Sequence, residues 1–323
     1  MINYIGKRLL NMIPLLIGIS LITFLVMQLT PGKPSDRLTD LNVKISAESK
    51  AKLIKLYGLD KPWYEQYGSW LMRIVRFDFG RSFKDDRPVI IKIGERLPWT
   101  ILLNLLAMGF IFTCASLIGI YSAVKQDSWF DKGMTVFVFI GFSTPSYWFA
   151  ILLMILFGLQ LGWFPISGVH ALTSAEFPWW YMIIDVIKHL VLPVASLSLL
   201  ALASMSRYMR SSMLEVIRLP YIDAARAKGL NETTVIFKHA LRNALLPIIT
   251  ILGLSVPQII GGSILIETIF AYPGIGRLSY ESIMSRDYPV VMGILIIAAF
   301  LTLLGNLMAD ITYAMVDPRI RHR

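Results

Sequence analysis

The sequence predicts an all-α polytopic membrane protein with six transmembrane helices, and three observations indicate this fold. Hydrophobic residues make up 55% of the 323 residues, charged residues make up 16%, and the mean hydropathy is +0.62. Soluble domains carry about 25% charged residues, so this chain is suited to lipid rather than to water. Long uncharged runs also recur along it, and roughly 20 apolar residues in a helix cross a bilayer core of about 30 Å.

The uncharged runs place the six spans. Five of them cover residues 9–29, 97–124, 133–169, 243–266 and 288–309. The remaining one, 190–206, is short, but Lys188 and His189 at one end and Arg207 at the other can extend to the membrane surface. The third run exceeds one helix, so we expect its helix to end at Gly162-Trp163-Phe164-Pro165. A cleaved signal peptide is the alternative for the first run, but no A-x-A site follows it, and an anchor is favoured.

Lysine and arginine in the short loops predict the orientation, because these cations are retained in the cytoplasm. Six spans place both termini on one side. That side carries 14 of these residues, namely Lys7, Arg8, Lys125, Lys132, the seven between 207 and 242, Arg319, Arg321 and Arg323. The opposite short loops carry 3: Lys188, Arg277 and Arg286. Both termini are therefore expected in the cytoplasm. The segment 33–96 also carries 14 and would lie outside, but long loops translocate largely regardless of charge.

Three parts follow from this topology. Residues 1–30 form the N-terminal tail and first transmembrane helix, 31–96 an extracytoplasmic segment, and 97–323 a five-helix core with a cytoplasmic loop at 207–242. Within 31–96, apolar side chains recur at helical spacing at Trp63, Tyr67, Trp70, Leu71 and Ile74. This spacing predicts an amphipathic helix packed on the outer membrane surface.

The composition offers no catalytic or metal site. The single cysteine, Cys114, excludes an intramolecular disulfide, and no two of the four histidines have the spacing of helical metal ligands. The chain has no G-x-x-x-x-G-K-[ST] phosphate loop, so any ATP chemistry belongs to another chain. The net charge of +10 is spread between the spans, which argues against a nucleic-acid partner. Asp310, four residues after Asn306 in the last span, is expected to make an interhelical polar contact or to pair with a loop cation rather than to bind substrate.

The segment 219–247, LPYIDAARAKGLNETTVIFKHALRNALLP, predicts two cytoplasmic helices. Pro220 suits a first helical turn, and Gly229 suits the left-handed position that ends a helix, with Leu230 folding back on the preceding turn. Asn231 can cap the second helix. The short first helix is expected to present small side chains at Ala224, Ala225 and Ala227 to another protein. A solvated loop whose alanines serve only helix propensity is the alternative.

The pattern Asp223-Ala224-Ala225, three residues, then Gly229 resembles the EAA loop of binding-protein-dependent ABC importer permeases, which reads E-A-A, three residues, G, nine residues, I-x-L-P. Asp223 replaces the glutamate, and His239 and Arg242 stand where isoleucine and proline are expected. KHALRNALLP is similar to the variant of the dipeptide and oligopeptide branch. YIGKRLLNMIPLLIGISLITFLVMQLTPG, YGLDKPWYEQYGSWL, DFGRSF, ETIFAYPGIGRLSYESIMSRDYPVV and DPRIR also resemble the B-type permease of peptide importers.

The resemblance implies a type I ABC importer permease fold in a prokaryotic inner membrane, forming half of a path for di- or oligopeptides. It implies an ATPase-coupling helix made by Tyr221, Asp223, Ala224, Ala225, Ala227, Gly229 and Leu230. It also implies a scoop loop facing the binding protein at Tyr272, Pro273 and Gly274, with a plain outer hairpin as the alternative. The substrate-binding residues are not identified.

The implied partners are the lipid bilayer, a second homologous permease, two ATP-binding cassette ATPase subunits that hold ATP and Mg²⁺, and an extracytoplasmic solute-binding protein. No cofactor is expected on this chain. The alternatives are a permease of the same family for nickel complexes or oligosaccharides, a secondary transporter or channel, and a membrane enzyme. A secondary transporter, a channel and a membrane enzyme would each leave the helix from Asp223 to Gly229 unexplained.

Overall fold

The computed structural model describes residues 2–29, 61–171 and 178–316, with side chains described from residue 6 to residue 308 outside those gaps. Helices account for the secondary structure of this part of the chain, which contains no strand beyond a single bridge between Arg81 and Pro88. The helices are α1 (Ile2–Leu29), α2 (Trp63–Val75), α3 (Val89–Val124), α4 (Trp129–Ser143), α5 (Ser146–Leu153, continued by the π-helical segment Met154–Gln160), α6 (Trp179–Ile217), α7 (Pro220–Ala227), α8 (Glu232–Ser255, with the π-helical segment Val235–Ala240), α9 (Gln258–Gly261), α10 (Ile264–Ile269), α11 (Ile275–Met284) and α12 (Tyr288–Val316).

Five or six candidate membrane spans are present in the described residues. Five helices, α1, α3, α6, α8 and α12, are long and apolar enough to cross a membrane, and α4 with α5, which are bent by 107° relative to each other, make a sixth when the pair is counted as one span. The prediction of an all-α polytopic chain is therefore confirmed.

Three of the predicted span boundaries are wrong. The third span breaks at Thr144-Pro145 and not only at Gly162, because proline lacks the N–H a helix needs and forces Thr144 into an extended conformation with φ −95° and ψ 118°. The fifth run, 243–266, stops at Ser255, and Gly262 interrupts it again with φ 64°. α6 is much longer than 190–206, because the helix continues through polar residues at both ends.

His189 does not extend to a membrane surface as predicted. Its side chain is buried, with Nδ1 2.8 Å from the carbonyl oxygen of Asp185, one turn earlier in α6. The local hydrogen bond replaces the contact with water that snorkelling would have provided. The side chain of Asp310 and residues 30–60 lie outside the described residues, so the predictions that fall on them remain predictions.

The chain divides into two compact units, residues 1–98 with 278–323 and residues 99–277. In the first unit, α2 is the predicted amphipathic helix, and it packs on α1. The hydroxyl of Tyr67 lies 2.9 Å from that of Ser20, and the ring of Phe24 contacts the rings of Tyr67 and Trp70 with centroids 5.5 and 5.8 Å away. The predicted helical periodicity is thus confirmed, with Tyr67 and Trp70 facing α1.

A buried carboxylate, Asp287, joins the start of α12 to the segment before α3. Its oxygens accept hydrogen bonds from the Ser82 hydroxyl at 2.5 Å and the Phe83 backbone N–H at 2.9 Å, and Lys92 Nζ lies 3.9 Å away. Lys92 also pairs with Asp85 at 2.8 Å. Burial alone would raise the pKa of Asp85, but hydrogen bonds from Lys92 and Ser82 outweigh it and lower the pKa to about 2. The network fixes the entry into two membrane helices.

In the second unit, a continuous apolar core lies between α3, α6, α7 and α8. Its fully buried members are Ala115, Met209, Met213, Ile222, Val235, Ala240, Ala244 and Ile248. A short helix outside the spans, α7, is thereby part of the same core as three membrane helices.

Replacing Asp287 with alanine should destabilise the protein, because the buried Ser82 hydroxyl loses its acceptor, which costs about 1–3 kcal/mol for a buried donor, and the partly buried Phe83 N–H loses the same partner. Glu95→Ala is the matched control, since Glu95 forms a half-exposed ion pair with Arg87, and such pairs contribute about 1 kcal/mol or less. Thermal unfolding midpoints of the detergent-solubilised variants provide the measurement. Equal midpoints for the two variants would show that the Asp287 network stabilises the protein no more than an exposed ion pair does.

Candidate functional site

The helix α7 begins and ends as its sequence predicts. Leu219 is extended, with φ −80° and ψ 144°, and Pro220 occupies the first turn. At the other end, Gly229 N–H donates to the Arg226 carbonyl at 2.9 Å and Leu230 N–H donates to the Ala225 carbonyl at 3.4 Å. Gly229 has φ +76°, the left-handed conformation that this Schellman termination requires. The predicted boundaries of the helix are confirmed.

One face of α7 is buried. Ile222 is 0% exposed and Ala225 is 7% exposed, and both belong to the core that includes Met209, Met213 and Val235. Residues three apart lie on the same side of a helix, so these two form a narrow stripe toward the membrane helices. The prediction that Ala225 is presented to a partner is therefore wrong. Ala225 packs into the core and holds α7 against the membrane helices.

The opposite face of α7 is open. Asp223, Ala224 and Ala227 are exposed, as are Gly229 and Leu230 at its end. Ala224 and Ala227 are also three residues apart, so they form a strip of small side chains along the exposed side. Tyr221 is 39% exposed and its hydroxyl accepts a hydrogen bond from Asn243 Nδ2 at 2.7 Å, which ties the start of α7 to α8.

Arg226 fixes the angle between α7 and α8. Its Nε pairs with Glu232 Oε1 at 2.8 Å and its Nη1 pairs with Asp223 Oδ1 at 3.3 Å. The hydrogen bond to Glu232, with a smaller contribution from Asp223, raises the pKa of Arg226. Asn231 caps α8 by accepting from Thr233 N–H at 3.1 Å, as predicted. Exposed ion pairs contribute about 0.2–1 kcal/mol, so this cluster orients the turn more than it stabilises it.

A second site surrounds Glu267, which is 0% exposed. Its carboxylate accepts hydrogen bonds from Thr100 Oγ1 at 3.1 Å, Arg277 N–H at 3.0 Å and Ser263 N–H at 3.3 Å. Burial raises the pKa of Glu267, and these hydrogen bonds oppose the shift only in part. Sequence reasoning did not single out this residue, although it is the first acid after a long run, 233–266, that contains none.

Three glycines allow the chain to wrap around this carboxylate. A Cβ on Gly262 would lie 2.9 Å from Glu267 Oε1 and one on Gly276 would lie 3.0 Å from Oε2, while one on Gly274 would collide with the carboxylate. The first distance is shorter than real Cβ atoms show, and the second is tighter than nearly all Cβ contacts. The turn from residue 272 to 276 therefore depends on glycine.

The predicted scoop residues do not share one environment. Tyr272 is fully buried, its hydroxyl donates to the Trp99 carbonyl at 2.8 Å, and burial raises its pKa. Gly274 is also buried, and Pro273 is partly exposed. The packing does not support a partner-facing role for the Tyr272 side chain, because it is enclosed by its own chain. The role of the loop stays a prediction.

The described residues contain no group of three or more His, Cys, Asp or Glu side chains that could hold a metal ion. The polar clusters around Arg226 and Glu267 are instead built from ion pairs and hydrogen bonds within the chain. What they provide is a fixed surface at α7 and a fixed turn at 272–276.

Residues 115–322 match a protein family described as the binding-protein-dependent transport system inner membrane component. The chain belongs to this family. Residues 1–104 match the N-terminal part of such membrane components. The resemblance noted at the EAA-like loop is therefore confirmed, and the permease has the type I ABC importer permease fold.

The curated relatives of this permease match over its whole length. It is 44% identical to the oligopeptide transport system permease protein AppB of Bacillus subtilis (strain 168), over 100% of both chains. It is 38% identical to the dipeptide transport system permease protein DppB of Alkalihalophilus pseudofirmus, again over 100% of both. It is 37% identical to the di/tripeptide transport system permease protein DppB of Pseudomonas aeruginosa (strain UCBPP-PA14), with the same coverage.

In this permease, the same substitution at neighbouring alanines of α7 should change the stability by very different amounts. Ala225→Glu places a carboxylate in the apolar core without a partner, which costs about 3–5 kcal/mol for an uncompensated buried charge. Ala224→Glu projects from the exposed face and should change stability by less than about 0.5 kcal/mol. Thermal unfolding of the two purified variants compares them directly, and equal destabilisation would contradict the burial of Ala225.

Proposed function

We propose that this chain is the membrane-spanning permease subunit of an ATP-driven importer and forms half of the translocation path for di- or oligopeptides. The observation that carries the proposal is α7, an exposed small-residue face on a helix whose other face is buried in the core of the membrane helices. The substrate class follows from the relatives, whose names specify oligopeptides, dipeptides, and di- and tripeptides.

In this proposal α7 is the coupling helix. Ala224 and Ala227 let a groove of an ATPase subunit approach the helix backbone, while Asp223, Arg226 and Lys228 border the contact with charge. Because Ile222 and Ala225 share a core with α3, α6 and α8, a displacement of α7 would move those helices with it. ATP and Mg²⁺ belong to two ATPase subunits, and the permease itself catalyses no reaction.

The remaining partners are a second homologous permease, which completes the path, and an extracytoplasmic solute-binding protein. We place the protein in the inner membrane with both termini and α7 in the cytoplasm, supported by the seven Lys and Arg residues between 207 and 242. Segments 31–96 and 267–287 then lie outside. The turn held by Glu267 would present Pro273 toward the binding protein, with Tyr272 as its buried support.

Two changes in α7 should weaken the binding of the ATPase subunits. Ala224→Glu places a charge in the proposed contact, and Gly229→Val forces a β-branched residue into a left-handed conformation that costs L-residues roughly 1–2 kcal/mol. We expect each variant to retain at most about a tenth of the ATPase that co-purifies with the wild type, since tenfold corresponds to 1.4 kcal/mol.

Gly80→Val is the matched control for Gly229→Val. Gly80 has φ +78° and, like Gly229, open space where a Cβ would point, but it lies far from α7 in sequence, in the proposed outer segment. It should therefore show the same backbone strain without loss of ATPase. Normal co-purification of both α7 variants would remove the docking assignment.

The substrate class can be tested by reconstituting the permease with its cognate second permease, ATPases and binding protein in proteoliposomes. Di- and oligopeptides should stimulate ATP hydrolysis and accumulate inside. A nickel complex and an oligosaccharide, offered at the same concentration, should do neither. Accumulation of either of these solutes without accumulation of peptides would overturn the peptide assignment while leaving the importer assignment intact.

A further inference from the structure

An ion pair between the buried Asp131 and the partly buried Arg210, whose side chain is 29% exposed, joins the first turn of α4 to α6. Arg210 Nε lies 2.6 Å from Asp131 Oδ1 and Arg210 Nη2 lies 2.7 Å from Asp131 Oδ2, so the pairing is bidentate. Asp131 is 3% exposed, and Oδ2 also accepts the Asp127 N–H at 3.0 Å. Charge-assisted pairs of this geometry are short, directional and among the strongest polar contacts in proteins.

The pair lies on the part of α6 that leads to α7. Arg210 precedes Pro220 by ten residues, and α6 continues without a break to Ile217. The residue before Arg210, Met209, is fully buried in the core that also contains Ile222. The last turns of α6 are thus attached to the coupling helix on one side and to α4 on another.

The backbone of α3 holds the same turn of α6. A Cβ on Gly119 would lie 2.9 Å from the Arg210 backbone nitrogen and 2.5 Å from Met209 Cβ, closer than atoms can pack. The backbone of α3 at Gly119 therefore packs directly against α6. The turn that carries Arg210 is consequently fixed against α3 before its side chain reaches α4.

α4 and α6 are also in direct contact away from the ion pair. α4 and α6 meet again at Gly141, where a Cβ would lie 3.0 Å from Ala203 Cβ. Between these two contacts is a cavity of about 290 Å³, lined by residues that include Met134, Thr135, Val138, Ser206 and Arg207. The ion pair adds a polar contact between the first turn of α4 and α6 to this packing.

We infer that Asp131 and Arg210 are positioning residues for coupling, which make α4 move with α6 when α7 is displaced. The inference rests on the proposed function, since it needs α7 to be the element that receives the motion. Coupling then passes through two contacts in series, first the apolar contact of Ile222 and Ala225 and then the ion pair. The ion pair transmits the movement of α6 to α4, the first half of the bent pair α4–α5.

Arg207 supplies a matched control. It lies one turn before Arg210, lines the same cavity, and has no hydrogen bond or ion pair among the described residues. Arg207→Gln therefore removes one positive charge from the same helix while leaving the Asp131–Arg210 ion pair intact. Arg210→Lys retains the charge but not the bidentate geometry, so it should have an intermediate effect.

The experiment uses the complete transporter in proteoliposomes and measures peptide accumulated per ATP hydrolysed, together with the amount of assembled complex. Arg210→Gln and Asp131→Asn should assemble with the ATPases but lower the ratio at least about fivefold, the lower end of typical coupling between sites. Arg207→Gln should keep the wild-type ratio. The exchange variant, Asp131→Arg with Arg210→Asp, should recover a large part of the loss.

A single variant that leaves an unpaired buried charge can fail to fold, so the double variant Asp131→Asn with Arg210→Gln is included, since removing both charges avoids that cost. It should assemble and still show the lowered ratio. A wild-type ratio in the double variant, or an equal loss for Arg207→Gln, overturns the inference. So does a loss confined to the amount of complex, which would assign the pair to folding alone.

These outcomes are separate from a failure of the proposed function. If Ala224→Glu and Gly229→Val keep their ATPases, the coupling-helix assignment fails, whatever the ion-pair variants do. If the wild-type transporter accumulates a solute other than a peptide, the ratio is measured with that solute and the test of Asp131 and Arg210 proceeds unchanged.

Discussion

The burial of Ile222 and Ala225 between α6 and α8 gives the short helix α7 its position. Isolated helices shorter than about 12 residues are marginal in water, so the eight residues of α7 depend on this contact for their structure. The Schellman termination at Gly229 and the Arg226 ion pairs then fix where the helix ends and how it meets α8. The exposed face of Ala224 and Ala227 is defined only because the opposite face is anchored.

A second constraint governs the interruptions of the helices. Backbone N–H groups away from water need acceptors, and each break in a helix exposes several of them. After Gly262 the chain solves this with a side chain: Glu267 accepts the N–H groups of Ser263 and Arg277 and the hydroxyl of Thr100. The glycines at 274 and 276 permit the close approach that these bonds require. The turn is therefore organised by one carboxylate, and Gly274 and Gly276 lack side chains where the chain packs against it.

The sequence predicted features that are determined locally. Pro220, Gly229 and Asn231 act on the adjacent turn, and each behaves as expected. Ala225, Tyr272 and Asp131 could not be placed in the same way, because their environments are supplied by distant residues such as Met209, Trp99 and Arg210. The span boundaries failed for a related reason. Hydropathy marks the apolar part of a helix, whereas α6 continues through Asp185 and Arg210, whose polar groups have partners within the chain.

Three carboxylates are buried in the part of the chain that the structure describes, and they differ in how their charge is compensated. Glu267 and Asp287 are held largely by backbone N–H groups and hydroxyls, with Lys92 3.9 Å from Asp287, so their stabilisation depends on the surrounding turn staying in place. Asp131 is neutralised by the Arg210 guanidinium, on another helix, through two short bonds. Removing either partner of such a pair leaves the other charge without its counter-ion, so separating α4 from α6 at this point is unfavourable. The ion pair therefore opposes the separation of two helices, whereas the other two carboxylates oppose the opening of a turn.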